Sequence, residues 1–262
     1  MADRSITWSV FTKPWKVPAD ELAGHVKELG FDAVEYPVRP GFEVSPENVG
    51  RELARVAKVF SDHGLQIASI AGPTDERTIA ACAQAGVPVI RVMAEIGRDG
   101  YLATVARLQK EYDALVPLLE KHGVRLGVQN HCGAWVSNAS GLLHLIGKYD
   151  PRHLAAVWDA AHNAIAGEEP ELAIDIIWSR LCMVNLKNAF WQRKTGPEAP
   201  YVEWETYWTS GRQGLASWPR VATELKRRSY AGVICITAEY SDAKSVDRLV
   251  AEDLAFAKSL FA

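Results

Sequence analysis

The sequence has no pair of cysteines spaced as Cys-x-x-Cys. Its 4 cysteines, Cys82, Cys132, Cys182 and Cys235, are scattered along the chain. That argues against a zinc ribbon or a redox dithiol and leaves reduced thiols inside or beside strands. No apolar run approaches the ~20 residues that cross a bilayer, so no membrane association is expected. The opening Met1-Ala2-Asp3-Arg4-Ser5 lacks the apolar segment of a secretory leader, so the expected location is cytoplasmic. In that setting Asn138-Ala139-Ser140, which matches a glycosylation acceptor, is a chance match. Neither sign of charge dominates: 29 Lys and Arg stand against 32 Asp and Glu, for a net charge of −3. This balance argues against a nucleic-acid partner. No Gly-x-Gly-x-x-Gly follows the first strand-like run, which weakens a doubly wound dinucleotide-binding sheet, the alternative α/β architecture.

What the chain does have is alternation. Strand-like and helix-like patterns succeed one another eight times over 262 residues, close to the roughly 250 typical of a (β/α)8 barrel. The expected fold is therefore α/β, a single (β/α)8 TIM barrel, with residues 1–262 forming one domain and no linker or low-complexity tract. The expected strands are Ile6–Phe11, Asp32–Val38, Gln66–Ala71, Val87–Ala94, Val124–His131, Leu154–His162, Leu181–Asn188 and Val233–Ser241. Ser45-Pro46-Glu47-Asn48 reads as a helix start, a cap residue followed by proline at the first helical position. The segment Ala189–Ser217 reads as a long irregular loop rich in aromatic residues. Loops of that length are uncommon unless functional.

Four of the strands are apolar until their last residues and then turn polar. Val124–His131 ends in Gln129, Asn130 and His131. Leu154–His162 ends in Asp159 and His162, Leu181–Asn188 in Asn185, Lys187 and Asn188, and Val233–Ser241 in Glu239 and Tyr240. Catalytic groups of such barrels come from this C-terminal rim. By strand alternation Gln129 and His131 share a face that Asn130 does not, Asn185 shares one with Lys187, and Glu239 shares one with Thr237 and Cys235. One cavity is therefore expected to hold Gln129, His131, Asp159, His162, Asn185, Lys187 and Glu239, with the carboxylates of Asp159 and Glu239 facing each other. Each residue also has a plain reading: Asp159 as a cap for the next turn, the histidines as satisfied buried side chains, and Lys187 as a surface lysine. Glu35, in Ala33-Val34-Glu35-Tyr36, joins the candidates, as do Trp191, Trp204 and Trp208 as a sugar-stacking lid. Arg39, Arg91 and Arg193 are candidate binders of a phosphate or carboxylate.

With these motifs in order, the chain resembles the xylose isomerase-like TIM barrel family of sugar isomerases and epimerases. The resemblance rests on Gly30-Phe31-Asp32-Ala33-Val34-Glu35, Val128-Gln129-Asn130-His131, Trp158-Asp159-Ala160-Ala161-His162, Val184-Asn185-Leu186-Lys187-Asn188 and Ala238-Glu239-Tyr240. It implies one divalent metal held by Glu, Asp, His and Glu on strands five to eight. Here Asp159 and Glu239 match, Gln129 stands for the Glu, Asn185 for the His, and Asn188 for an Asp. The implied cofactor is Mn²⁺ or Mg²⁺, which accept amide oxygens, on Gln129, Asp159, Asn185 and Glu239. Gln129 cannot accept a proton, which disfavours two-base epimerisation. One-base chemistry remains: isomerisation or elimination next to a carbonyl of a sugar or polyol. In that chemistry Glu239 is the base, its pKa raised by an apolar setting, Lys187 and His131 stabilise the enediolate, and Glu35, His162, Trp191 and Arg193 contact the substrate. Two rivals stand beside it. One is a metal-free Lys187/Glu239 isomerase or lyase, and the other is a non-catalytic carbohydrate-binding barrel or enzyme subunit. A three-zinc nuclease is excluded by the shortage of rim histidines. The resemblance leaves a homo-oligomer open.

Overall fold

A computed structural model describes residues 6–262; the opening Met1–Ser5, read above as carrying no leader, lies outside the described residues. Eight parallel strands close into a barrel: β1 (Thr7–Phe11), β2 (Ala33–Pro37), β3 (Gln66–Ala71), β4 (Val89–Met93), β5 (Arg125–Gln129), β6 (Leu154–Asp159), β7 (Leu181–Leu186) and β10 (Val233–Ile236). The ring follows chain order from β1 to β7 and closes where β10 pairs with both β7 and β1. Helices α1 (Ala19–Glu28), α2 (Val49–Asp62), α3 (Glu76–Ala85), α4 (Tyr101–His122), α5 (Ala139–Ile146), α6 (Ala160–Ile165), α7 (Pro170–Ile177) and α8 (Trp218–Arg227) lie between the strands, and α9 (Val246–Phe261) follows the last of them.

The pattern of α2 shows why the outer layer forms. Leu53, Val56 and Phe60 recur at three- and four-residue spacing and are fully buried. Each contributes about 1.5–3 kcal/mol by leaving water. Inside the barrel, alternate strand residues make two different layers. The lower one is apolar, with Phe11, Ala71, Val157, Met183 and Cys235 in one cluster. Gly127 belongs to this packed interior: a Cβ there would lie 2.7 Å from Val157 Cγ2 and 3.1 Å from Val89 Cγ1. The upper layer is a buried polar belt of Glu35, Ser69, Arg91, Gln129, Asp159 and Asn185.

Three expectations change. Helix α2 begins at Val49 with Asn48 at its cap, because the Asn48 side chain accepts from Ser45 N–H (2.8 Å) and donates to Glu43 O (2.9 Å), holding Ser45–Glu47 in a turn. Strand β6 stops at Asp159, and His162 already lies in α6. The segment read as an irregular loop contains an antiparallel hairpin, β8 (Asn188–Arg193) and β9 (Trp204–Thr209), with Trp208 opposite Ala189 and Trp204 opposite Arg193. Exposure rises along both strands toward the turn, from buried Asn188 and Ala189 to exposed Arg193 and Trp204.

Candidate active site

Each polar side chain at the rim is held by a neighbour in the sequence or across the sheet. Asn130 turns toward β6 and exchanges two bonds with Asp159: Asp159 N–H donates to Asn130 Oδ1 (2.8 Å), and Asn130 Nδ2 donates to Asp159 O (3.1 Å). That pairing extends the ladder past the end of β5 and fixes where Asp159 emerges. Asp159 Oδ1 then accepts from Ala161 N–H and His162 N–H, both at 3.0 Å, capping α6. Its other oxygen accepts from Gln129 Nε2 (2.9 Å). Asp159 is thus both cap and site residue. Burial pushes its pKa up to about 6, against the pull of the Lys187 charge.

Gln129 Oε1 accepts from Arg91 Nη1, and Arg91 Nε lies 2.5 Å from Glu35 Oε1. Burial lowers the guanidinium pKa, but the Glu35 carboxylate more than offsets this and keeps it charged. Ser69 Oγ donates to the same Glu35 oxygen (3.3 Å). The belt is therefore one chain of hydrogen bonds, Ser69–Glu35–Arg91–Gln129–Asp159. Arg91 and Glu35, read from the sequence as ligand-binding candidates, face each other inside it. Asn185, opposite Asp159 in the ladder, is 1% exposed, and neither of its side-chain atoms has a partner among the described residues.

Above the belt lies a pocket of about 450 Å³ bordered by Lys13, His131, Lys187, Trp208, Glu239 and Tyr240. Lys187 Nζ is 2.7 Å from Glu239 Oε2 and 3.6 Å from the centre of the Trp208 ring. Lys13 Nζ holds the other Glu239 oxygen at 2.5 Å. The expectation of a raised Glu239 pKa is corrected here. Burial does push it up, but the Lys187 and Lys13 ammonium groups outweigh that and hold it at about 2. The backbone also departs from simple alternation. Ala238 sits in the left-handed region at φ 51°, so Glu239 no longer follows the face of Thr237 and Cys235.

His131 and His162 stack with ring centres 3.9 Å apart. Nδ1 of His131 lies 2.8 Å from Cys132 O, an acceptor, so Nδ1 carries the proton and Nε2 keeps its lone pair. Burial, joined by the Lys187 charge, lowers the His131 pKa below its ordinary value. Nδ1 of His162 accepts from Cys132 N–H (3.3 Å), which leaves Nε2–H facing Asp159 Oδ2 at 4.0 Å. Burial holds His162 neutral as well.

The structure separates the predicted residues. Gln129, Asp159, Asn185 and Glu35 lie in the belt, while His131, Lys187 and Glu239 border the pocket. Trp191 and Arg193 lie on the exposed part of β8, and Arg193 bonds Gly196 O (3.2 Å), so neither borders the pocket. Trp208, paired with Ala189 at the barrel end of the hairpin, is the hairpin tryptophan that borders it. Lys13 was not foreseen, although Phe11-Thr12-Lys13 has the same apolar-to-polar ending as the four strands that were.

The predicted quartet does not fit a hard divalent cation. The Gln129 oxygen is taken by Arg91, three hydrogen-bond donors occupy the Asp159 oxygens, and two lysines cover Glu239. Arg91, Lys187 and Lys13 already balance Glu35, Asp159 and Glu239 one for one. Two further positive charges would stand uncompensated in a buried belt. A different cluster is present: one ligand atom each of His131, Cys132 and His162 lie within 4.8 Å of one another.

The sequence profile of the xylose isomerase-like TIM barrel family matches residues 24–260, and the chain belongs to that family. No curated protein matches it. Among solved structures it is similar to D-psicose 3-epimerase with D-tagatose from Clostridium cellulolyticum H10 (13% identity, TM-score 0.71, covering 98% of this chain and 99% of that one). It is also similar to 3-keto-D-glucoside 4-epimerase from E. coli (12%, TM-score 0.73, 97% and 100%). A third is the probable 3-DHS dehydratase of petrobactin synthesis from Bacillus anthracis (15%, TM-score 0.72, 95% and 99%). At these identities the likeness is one of fold. Among the described residues no helix is long and apolar enough to cross a membrane.

Proposed function

We propose that the chain is an enzyme acting on a small sugar or polyol derivative by removing a proton from the carbon next to a carbonyl. The first reaction assigned is aldose–ketose isomerisation. One observation carries the reading: a lysine ammonium fixed between a carboxylate and an indole face, beside a neutral histidine with a free lone pair, in one rim pocket.

The roles follow from the electrostatics. Glu239, held at about 2, is a poor proton acceptor and serves as the counter-ion that aims Lys187. Lys187 donates a hydrogen bond to the substrate carbonyl oxygen. His131 Nε2 takes the proton from the adjacent carbon, the C–H electrons form the carbon–carbon double bond, and the carbonyl π electrons move onto oxygen. Returning the proton to the former carbonyl carbon completes an isomerisation, as the neighbouring hydroxyl gives its proton to the former carbonyl oxygen and becomes the new carbonyl. In a dehydration the enediolate electrons re-form the carbonyl, the double bond shifts toward the next carbon, and the hydroxyl there takes the proton from His131 and leaves as water. Neighbours of the same fold are named as epimerases and as a dehydratase, which supports the class of reaction. The rival reading places Mn²⁺ or Mg²⁺ on Gln129, Asp159, Asn185 and Glu239. It finds less support, because its donors are already engaged.

Solvent deuterium incorporation into a panel of aldoses and ketoses, followed by NMR, tests the proposal. Exchange at the carbon next to the carbonyl is expected, surviving chelation and falling by about 10²-fold or more in His131→Asn. No exchange across the panel, or full exchange in that variant, sinks it. Exchange abolished by chelator and restored by Mn²⁺ transfers support to the rival.

A further inference from the structure

We propose that His131, Cys132 and His162 form a binding site for a zinc-class, borderline-soft cation, separate from the carboxylate and amide quartet on which a hard metal was expected. Two imidazoles and a thiolate suit Zn²⁺ and leave the fourth position of a tetrahedral ion open.

The side-chain geometry supports the assignment. The ligand atoms come from the loop that follows β5 and from the first turn of α6, and lie within 4.8 Å of one another. His162 Nδ1 and Cys132 Sγ are in hydrogen-bond contact at 3.2 Å, and bonds of roughly 2.0 and 2.3 Å at a tetrahedral angle would part them only to about 3.5 Å. His131 carries the outer hydrogen bond that metal-bound histidines need, giving its Nδ1–H to Cys132 O at 2.8 Å. His162 Nε2 lies 4.0 Å from Asp159 Oδ2, beyond hydrogen-bond range but near enough for the carboxylate to favour a proton there. His131 Nε2 thus has a free lone pair, whereas His162 Nδ1 must give up the bond it accepts from Cys132 N–H at 3.3 Å to take the cation. On binding, the Cys132 thiol proton leaves to solvent and the thiolate offsets one of the two new charges. Neither histidine has a proton to release.

The cation would occupy the lone pair assigned above to proton abstraction, so zinc and turnover compete for His131. The binding claim stands apart from the catalytic one, because its test is spectroscopic. Cobalt(II), added without oxygen to the metal-free full chain, is the probe. The expected result is one equivalent bound, with intense visible bands of a tetrahedral ion and a thiolate charge-transfer band in the near ultraviolet. Cys132→Ser is expected to lose the charge-transfer band, His162→Gln to weaken binding at least 10-fold, and Glu239→Gln to bind like the parent. X-ray absorption of the zinc form gives a check that needs no variant: one sulfur at ~2.3 Å in the first shell. Pale octahedral spectra, a shell of oxygen alone, or binding lost in Glu239→Gln and kept in Cys132→Ser overturns the proposal. If zinc binds with these signatures but leaves deuterium exchange untouched, the metal site stands and the role of His131 as base fails.

Discussion

Arg91 Nε and Glu35 Oε1 stand 2.5 Å apart inside the barrel, with side chains 6% and 0% exposed. The pair lies where β2 and β4 face across the interior, and it ties the belt to Gln129 and Asp159. Removing one partner leaves a buried charge without compensation, which costs about 3–5 kcal/mol. Glu35→Gln is therefore expected to lower the urea midpoint substantially. Replacing both, as Glu35→Leu with Arg91→Leu, is expected to cost less than the sum of the singles. Equilibrium unfolding of the three variants decides this. A Glu35→Gln protein as stable as the parent would mean that the pair is not closed in solution.

The site's pH dependence follows from two shifts of the same sign. His131 is lowered below its ordinary value and Glu239 is held at about 2. The base form of His131 is the neutral one, so a lowered pKa keeps it available as pH falls. The acid limb of kcat/KM is expected to have its midpoint below 6.5, the ordinary imidazole value. Glu239 remains ionised throughout that range and contributes no limb of its own. An acid limb centred above pH 6.5 contradicts the environment described for His131.

Ala238 pays for the direction of Glu239 with its backbone. A non-glycine residue at φ 51° is strained by roughly 1 kcal/mol. Ala238→Gly relieves it, with an expected rise in Tm of about 1–3 °C for a chain of this size. The same change loosens the turn that places Glu239 against Lys187, so kcat is expected to fall by a few-fold while the protein becomes more stable. Calorimetry with steady-state rates measures both. A lower Tm refutes the strain argument.

The barrel was legible because a buried parallel strand and an amphipathic helix write different periods into the chain. Gln66–Ala71 appears with the bounds its pattern suggests. The polar residues read from the sequence at the ends of the fifth to eighth barrel strands follow β5, β6, β7 and β10 or close them. What periodicity does not encode is which charge a polar end will meet. Arg91 interrupts an apolar strand, and nothing local says that its partners are Glu35 and Gln129, 56 and 38 residues away. For the same reason the two lysines that depress Glu239 were invisible, one of them 226 residues distant. The hairpin was missed because its turn residues, Gly196, Pro197 and Pro200, read as breakers of structure when they only separate two strands.

Asn188 gives the sharpest test of a departure seen in the sequence. Its resemblance-based partner at that position is an aspartate, yet the structure uses all the capability of an amide. Nδ2 donates to Gly211 O (2.8 Å) and Ala216 O (2.9 Å), while Oδ1 accepts from Ala189 N–H (3.0 Å) and Ala216 N–H (2.8 Å). The side chain is 1% exposed, and a Cβ on Gly214 would overlap its oxygen. This clamp folds the segment after β9 back onto the residue that follows Lys187. A carboxylate keeps the two acceptor bonds but turns its second oxygen toward two carbonyls, so Asn188→Asp is expected to lose about 2–4 kcal/mol at neutral pH. Protonation restores one donor, and the folded form therefore raises the pKa of the introduced acid above its unfolded value of about 3.9. A raised folded pKa means that the deficit is smallest below pH 4 and grows as pH climbs through the shifted value. Unfolding of parent and variant across pH 4 to 8 checks the sign, and a deficit that shrinks toward high pH would show that the two carbonyls do not face this side chain.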